Sequence, residues 1–169
     1  MNMNKDIENF CDGIWQKAKG FLNTEGHAYP VYFVLHGSEV EVVPGIFKDD
    51  MEKEALGHAV TALAKKLKAN AVAHISEAWA VSPSEGDRDK EDVLERTLGD
   101  KRISEHPGKY EMLMLTCMLR TGKTYFRSAT IIRSGDEVTL IDEKPMTYYD
   151  HVESYMIQPW GKRKKKKRR

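Results

Sequence analysis

The sequence predicts an α+β fold, with a mostly antiparallel sheet of about five to six strands and two helices packed on one face. Two segments repeat apolar residues at the three- and four-residue spacing of a helix. The elements follow the order helix, hairpin, helix, strand, loop and antiparallel meander, without the alternation that builds a parallel sheet. We expect one compact domain over 1–145, a poorly patterned extension over 146–161 and a disordered basic tail over 162–169.

Both helices carry start signals. Asn4 is a candidate N-cap of the first helix, which ends near Gly26, and Asp49 is a candidate N-cap of the second, with Glu52 reaching back to it. Asn70 can end the second helix. The apolar positions of the first helix are Ile7, Phe10, Cys11, Ile14, Trp15, Ala18, Phe21 and Leu22, and those of the second are Leu56, Val60, Leu63 and Leu67.

The strands are indicated by runs of β-branched, aromatic and alternating residues. They are predicted over 29–35 and 39–43 (a hairpin), 71–81, 109–119 (apolar on both faces and therefore central), 123–133, and a last edge strand in "VTLID". The charged segment 82–102 predicts an exposed loop with one short helix near 89–98. A two-residue turn at Thr121-Gly122 would pair residues whose numbers sum to 243, such as Met112 with Ile131.

One group of motifs resembles a family. A Glu-Ala-Trp strand is followed by a charged loop, a His-Pro that leads to a glutamate at a strand start, and a hairpin ending in Ile-x-Arg; the matching residues are Glu77, Ala78, Trp79, His106, Pro107, Glu111, Ile131 and Arg133. This pattern resembles a family of small uncharacterised bacterial and phage proteins over about residues 70–142. Tyr110 stands where that family usually has a basic residue. The resemblance implies a compact domain in a prokaryotic or phage setting and no particular chemistry.

Glu77 is the most informative single residue, because it lies on the apolar face of its predicted strand. A carboxylate there needs a partner or a raised pKa. Arg127 and Arg133 are the candidate partners, and with His106 and Glu111 they form a candidate polar cluster. The cluster has two interpretations, a general acid or base in a cleft and a structural ion pair.

Motifs for other chemistry are missing or incomplete. The run "TGKT" at 121–124 resembles the end of a phosphate-binding loop, but Cys117 occupies the position of the first glycine and the run joins two strands. The six histidines lack metal-ligand spacing, and the two cysteines form no disulfide framework. The sequence therefore predicts no catalytic residue, no metal site and no cofactor.

The C-terminal tail is the strongest charge feature. Its cations are Lys162, Arg163, Lys164, Lys165, Lys166, Lys167, Arg168 and Arg169. The formal net charge is +1, yet removing these eight leaves 19 basic against 26 acidic residues, a net charge of −7. Such a run attracts polyanions, so we predict nucleic acid as the partner. There are four alternatives: contact with the acidic body, a weak contact with an anionic membrane surface, a nuclear address in a eukaryote, and a purely solubilising end.

These observations favour a non-enzymatic bacterial or phage protein whose basic arm binds nucleic acid without sequence specificity. No apolar segment could span a bilayer or serve as a secretory signal, which predicts a cytoplasmic protein without membrane contact. Two alternatives remain. One is a protein-binding accessory module, an inhibitor or assembly factor, that uses the acidic body. The other is an enzyme that uses Glu77 with an arginine of the hairpin.

Overall fold

The computed structural model describes residues 3–81 and 103–149. Within these ranges it contains two helices, seven strands and a short 3-10 helix at Ile103–Glu105. The helices are α1 (Met3–Glu25) and α2 (Asp50–Lys66). The strands are β1 (Val31–His36), β2 (Glu39–Pro44), β3 (Ala71–Val81), β4 (Lys109–Leu119), β5 (Thr124–Ser134), β6 (Glu137–Ile141) and β7 (Thr147–Tyr149). The loop and helix predicted within 82–102 lie outside the described residues.

The sheet is antiparallel in every pairing, in the order β2-β1-β3-β4-β5-β6, and β7 adds a second partner to the outer side of β5. The α+β class and the antiparallel sheet are confirmed. β4 lies inside the sheet between β3 and β5, as its apolar faces predict. The short β7 was not predicted, and it continues the sheet past residue 145, where the sequence pattern fades.

The two helices pack on opposite faces of the sheet, so the prediction that both share one face is wrong. Phe33 and Ala73 contact the core beneath α1, whereas their chain neighbours Val34 and Val72 pack with α2. Successive side chains of a strand point to opposite faces. Since β1 and β3 are apolar on both sides over these residues, each side requires its own cover.

The hairpin between β4 and β5 has a three-residue loop, and the predicted register is therefore wrong by one residue. The Gly122 N–H donates to the Leu119 carbonyl (2.9 Å), and the Leu119 N–H donates to the Lys123 carbonyl (2.8 Å). Gly122 has a φ of +93°, as in the glycine bulge that closes such loops. The numbers of paired residues consequently sum to 242, and Met112 faces Thr130 instead of Ile131.

The ends of the helices differ in detail from their predicted caps. The Asp49 carboxylate accepts the Glu52 N–H (2.8 Å), as predicted, but the Glu52 carboxylate accepts the N–H of Lys48 (2.8 Å), one residue before Asp49. Asn4 lies inside α1. Asn70 lies beyond the end of α2, where its side chain accepts the Gly37 N–H (3.0 Å) at the tip of the first hairpin. Polar side chains near helix ends thus also anchor the neighbouring turns.

His74 is a partly buried histidine on the α2 face of β3. Its ring lies 4.3 Å from that of Tyr32, measured between ring centres. Burial, together with the positive charge of Lys53, lowers the pKa of His74 to about 4. The folded protein therefore holds this imidazole neutral at a pH where an unfolded chain would protonate it.

This depressed pKa predicts a loss of stability in acid. The contribution of His74 is complete above its unfolded pKa of about 6.5 and falls as the pH drops toward 4. When the pH is lowered from 7 to 4.5, we expect the unfolding free energy of the parent chain to fall by roughly 2 kcal/mol more than that of His74→Gln. Urea denaturation at both values measures this. His58→Gln, at an exposed histidine of α2, is the matched control and should track the parent.

Candidate functional site

The candidate polar cluster centres on Arg133, which binds two carboxylates at once. Its Nε lies 2.9 Å from Glu111 Oε2, and its Nη2 lies 2.9 Å from Glu111 Oε1 and 3.1 Å from Glu77 Oε2. The pair with Glu111 is thus two-pronged, the strongest geometry for an arginine and a carboxylate. The structure brings together three of the five predicted residues.

The register explains why these three side chains meet. Because residues of the same parity pair across β3, β4 and β5, Glu77, Glu111 and Arg133 all project from the face that α1 covers. Glu77 lies toward the end of β3, Glu111 near the start of β4 and Arg133 near the end of β5. Antiparallel pairing places these three positions at one end of the sheet.

Arg133 also binds the end of α1. Its Nη1 donates to the Gly26 carbonyl, directly after the last residue of the helix. α1 has no basic residue in its last turn, and a cation at a helix C-terminus interacts favourably with the helix dipole. The guanidinium therefore supplies from β5 the charge that the helix itself lacks.

Glu77 completes this connection through the chain that follows α1. Its Oε1 accepts the Ala28 N–H (2.7 Å), and its Oε2 lies 3.5 Å from His27 Nδ1. His27 was missing from the predicted cluster, because it follows a helix end and belongs to no periodic pattern. The position after the predicted end at Gly26 is the only signal that could have placed it near this site.

The arrangement favours the structural interpretation of the cluster. The hydrogen bond to Glu111 raises the pKa of Arg133, burial opposes that rise, and the two carboxylate charges add to it. Both oxygens of Glu77 are engaged, one by a backbone N–H and one by Arg133. Because both oxygens make contacts that hold the fold together, the geometry gives Glu77 no evident role in proton transfer.

Arg127 belongs to a different cluster on the same face. Its guanidinium donates to Asp12 (2.8 Å) and Glu143 (2.8 Å) and lies over the Trp15 ring, 4.8 Å from its centre. The Trp15 indole N–H donates to Glu143 (2.6 Å). Burial would raise the pKa of Glu143, but hydrogen bonds from Trp15 and Lys19 and the charge of Arg127 lower it. Arg127 is therefore not the partner of Glu77.

His106 forms the turn before β4 and does not join the cluster either. Its Nδ1 accepts the Gly108 N–H (2.9 Å), and its carbonyl accepts the Lys109 N–H (3.2 Å). The His-Pro pair thus forms a turn directly before β4. The ring nitrogen Nδ1 is therefore used to stabilise the local backbone.

The two cysteines are buried against each other in the core beneath α1. A hydrogen bond with Cys11, followed by burial, raises the pKa of Cys117 well above its usual value. A thiol held protonated is a poor nucleophile. Among residues 3–81 and 103–149, no three histidine, cysteine, aspartate or glutamate side chains are grouped to hold a metal ion.

An apolar groove of about 600 Å³ lies between α1 and the first hairpin, and we call it the hairpin groove. Its lining includes Phe21, Tyr29, Val31, Phe33 and Val42. Phe21 was predicted to be buried with the rest of the apolar face of α1, yet it is 54% exposed. The difference arises because α1 packs mainly over β3, β4 and β6, and the first hairpin is only partly covered on this face.

The comparison with protein families shows the family to which the chain belongs. Residues 1–169 match the family model described as bacteriophage lambda protein ea47. The chain belongs to this phage family. The match of the ea47 family includes the first helix and the basic tail, both of which lie outside the motif resemblance over 70–142. No curated protein and no solved structure matches the chain.

Two further findings concern this ea47-family chain. In the part of the chain that the structure describes, neither helix is long and apolar enough to cross a membrane. The basic tail, Lys162–Arg169, and most of the extension before it lie outside the described residues.

Proposed function

We propose that this phage protein is a non-enzymatic cytoplasmic protein that binds nucleic acid without sequence preference through Lys162–Arg169. The observation that carries the proposal is charge: eight adjacent cations follow a body whose net charge is −7. An acidic body repels a phosphate backbone. Any affinity for nucleic acid must therefore come from the tail.

Counterion release sets the size of the effect. If all eight cations engaged a single strand, the logarithm of the binding constant would fall with the logarithm of salt concentration at a slope of roughly −6, the upper limit. Phosphate contacts of this kind position a protein and carry no base readout. The arm would therefore raise local affinity, while the folded domain supplies any specificity.

The contacts of Glu77 support a non-enzymatic role. Arg133 and the Ala28 N–H engage both of its oxygens, and Arg127 is committed to Asp12 and Glu143. Both oxygens of the proposed general base thus serve contacts within the fold. We therefore favour binding over catalysis for the folded domain.

Deleting Lys162–Arg169 is expected to abolish binding to non-specific single-stranded DNA at low salt, because it removes every cation of the run. Fluorescence anisotropy with a labelled oligonucleotide over a salt series measures the affinity and its slope. Exchanging each lysine of the tail for arginine, and each arginine for lysine, keeps the charge and is the matched control. Unchanged DNA binding after the deletion would overturn the proposal.

A second candidate function is a protein-binding accessory module, which the hairpin groove favours. A largely apolar groove with exposed aromatic side chains is unusual on a surface without a partner. This candidate predicts a protein that co-purifies from phage-infected cells and remains bound after the tail is deleted. Loss of that protein together with the tail would contradict it.

A further inference from the structure

β2 is an edge strand with an accessible backbone. Among the strands that the structure describes, it has a neighbour, β1, on one side only. Five of its six residues are exposed, and Val43 is partly buried. An edge of this kind presents unpaired N–H and C=O groups to which another strand can pair.

The two faces of β2 differ sharply in chemistry. Glu39 and Glu41 project on the α2 side, with side chains 78% and 55% exposed. Val40 and Val42 project on the α1 side, and Val42 is 58% exposed. His36 lies within 4 Å of both carboxylates, at 3.9 and 3.7 Å, but leaves them open to solvent. The edge is therefore acidic on one side and apolar on the other.

The apolar side of this edge opens onto the hairpin groove. Val42 lines that groove together with Phe21, Tyr29 and Phe33, and Phe21 and Tyr29 are more than half exposed. A strand added beside β2 would point alternate side chains toward the groove and the others toward the glutamates. A strand that binds this surface must therefore place apolar side chains in the hairpin groove and basic side chains beside the glutamates.

We propose that the β2 edge binds an extended segment of a partner protein in which basic and apolar residues alternate. The backbone of β2 would supply the hydrogen bonds, the hairpin groove would take the apolar side chains, and Glu39 and Glu41 would pair with the cations. This inference rests on the accessory function proposed above and is independent of the nucleic-acid arm.

Charge complementarity selects this occupant over a second copy of the chain. If Val40 of one β2 strand paired with Val42 of a second copy, Glu41 would lie directly opposite its own counterpart on the other side, where the two carboxylates repel. The protein's own tail supplies cations but no apolar residue. It can satisfy the acidic side of the edge and leaves the groove empty.

A synthetic probe tests the proposal on the full chain. A fluorescent peptide of alternating lysine and valine is titrated at low salt and compared with a peptide of the same composition in two blocks. We expect the alternating peptide to bind about tenfold more tightly, because only it can sort its side chains onto two faces. Hydrogen exchange should show slower exchange of the β2 amides when it is bound.

Charge reversal supplies the specific control. The double variant Glu39→Lys/Glu41→Lys should lose about tenfold in affinity for the lysine peptide and gain affinity for an alternating glutamate–valine peptide. Glu137→Lys makes the same change on the other edge strand, β6, and should bind as the parent does. Circular dichroism verifies that the variants are folded.

Three results would overturn the inference: equal binding of the block peptide, an equal loss with Glu137→Lys, or unchanged exchange of the β2 amides. The accessory function is tested separately. If a protein that co-purifies from infected cells stays bound to Glu39→Lys/Glu41→Lys, the accessory function holds and the β2 edge is not its site. If no protein co-purifies but the peptide binds as expected, the edge is supported and the accessory function is not.

Discussion

Replacing Arg133 by methionine is expected to lower the free energy of unfolding by about 3 kcal/mol. Glu77 and Glu111 are each only 18% exposed, and their shared cation is 28% exposed. Without the guanidinium, two neighbouring carboxylates would be left largely out of water without the cation that they share, and the end of α1 would lose a donor to the Gly26 carbonyl. Chemical denaturation followed by far-ultraviolet circular dichroism measures the loss.

Further variants separate charge from geometry. Arg133→Lys keeps the charge but cannot form the two-pronged pair, so we expect an intermediate loss. Adding Glu77→Gln and Glu111→Gln to Arg133→Met should recover part of the stability, because the unpaired charges disappear. Arg120→Met, at an exposed arginine in the β4–β5 loop, is the matched control and should cost less than about 0.5 kcal/mol. A loss no larger at Arg133 would contradict the cluster's structural role.

Trp15→Ala is expected to cost about 4 kcal/mol, the second large effect. Trp15 has no exposed surface, donates its indole N–H to Glu143 and lies under the Arg127 guanidinium. The alanine would leave a cavity beneath α1 and remove a donor from a partly buried carboxylate. Chemical denaturation at neutral pH gives the difference in unfolding free energy.

Trp79 provides a matched control for this change, because it is a tryptophan on the same face of the sheet and is 46% exposed. Trp79→Ala should cost about 1 kcal/mol or less. Trp15→Phe keeps most of the apolar volume and removes the N–H, so it isolates the bond to Glu143 at about 1–2 kcal/mol. Equal losses at Trp15 and Trp79 would show that burial beneath α1 does not dominate the stability of this core.

The elements that could be predicted from the sequence are those with a strong local signal. The alternation in 71–81 and the apolar run in 109–119 predicted β3 and β4 at their observed bounds. The Asp49 cap placed the start of α2 correctly. In each case the deciding interactions, the side-chain period and the cap, lie within a few residues of one another.

The errors concern choices that local signals leave open. Thr121-Gly122 suits a two-residue turn, but the loop takes in Arg120 as well, and this single residue changes every partner across β4 and β5. The placement of the helices was open because β1 and β3 are apolar on both faces. Such strands must be covered on both sides, and the sequences of the two helices do not indicate on which face of the sheet each helix packs.

The candidate site was partly predictable for the same reason. An isolated carboxylate on the apolar side of β3 signals a partner, and Arg133 was one of the two arginines proposed. The other features depend on tertiary contacts: the Gly26 carbonyl and His27 reach the cluster only because α1 ends above it. The hairpin groove exists because α1 packs mainly over β3, β4 and β6, whereas the first hairpin lies at the opposite edge of the sheet.

The long-range contacts of α1 have a consequence for how the chain folds. Trp15 meets Glu143 across 128 residues of sequence, Asp12 meets Arg127 across 115, and the Gly26 carbonyl meets Arg133 across 107. During synthesis α1 therefore emerges well before these partners, which follow only with β5 and the residues just after β6. Contacts this distant slow folding and leave apolar surface open in the interval. We expect truncated chains that stop before β5 to expose the apolar face of α1 and to depend on chaperones.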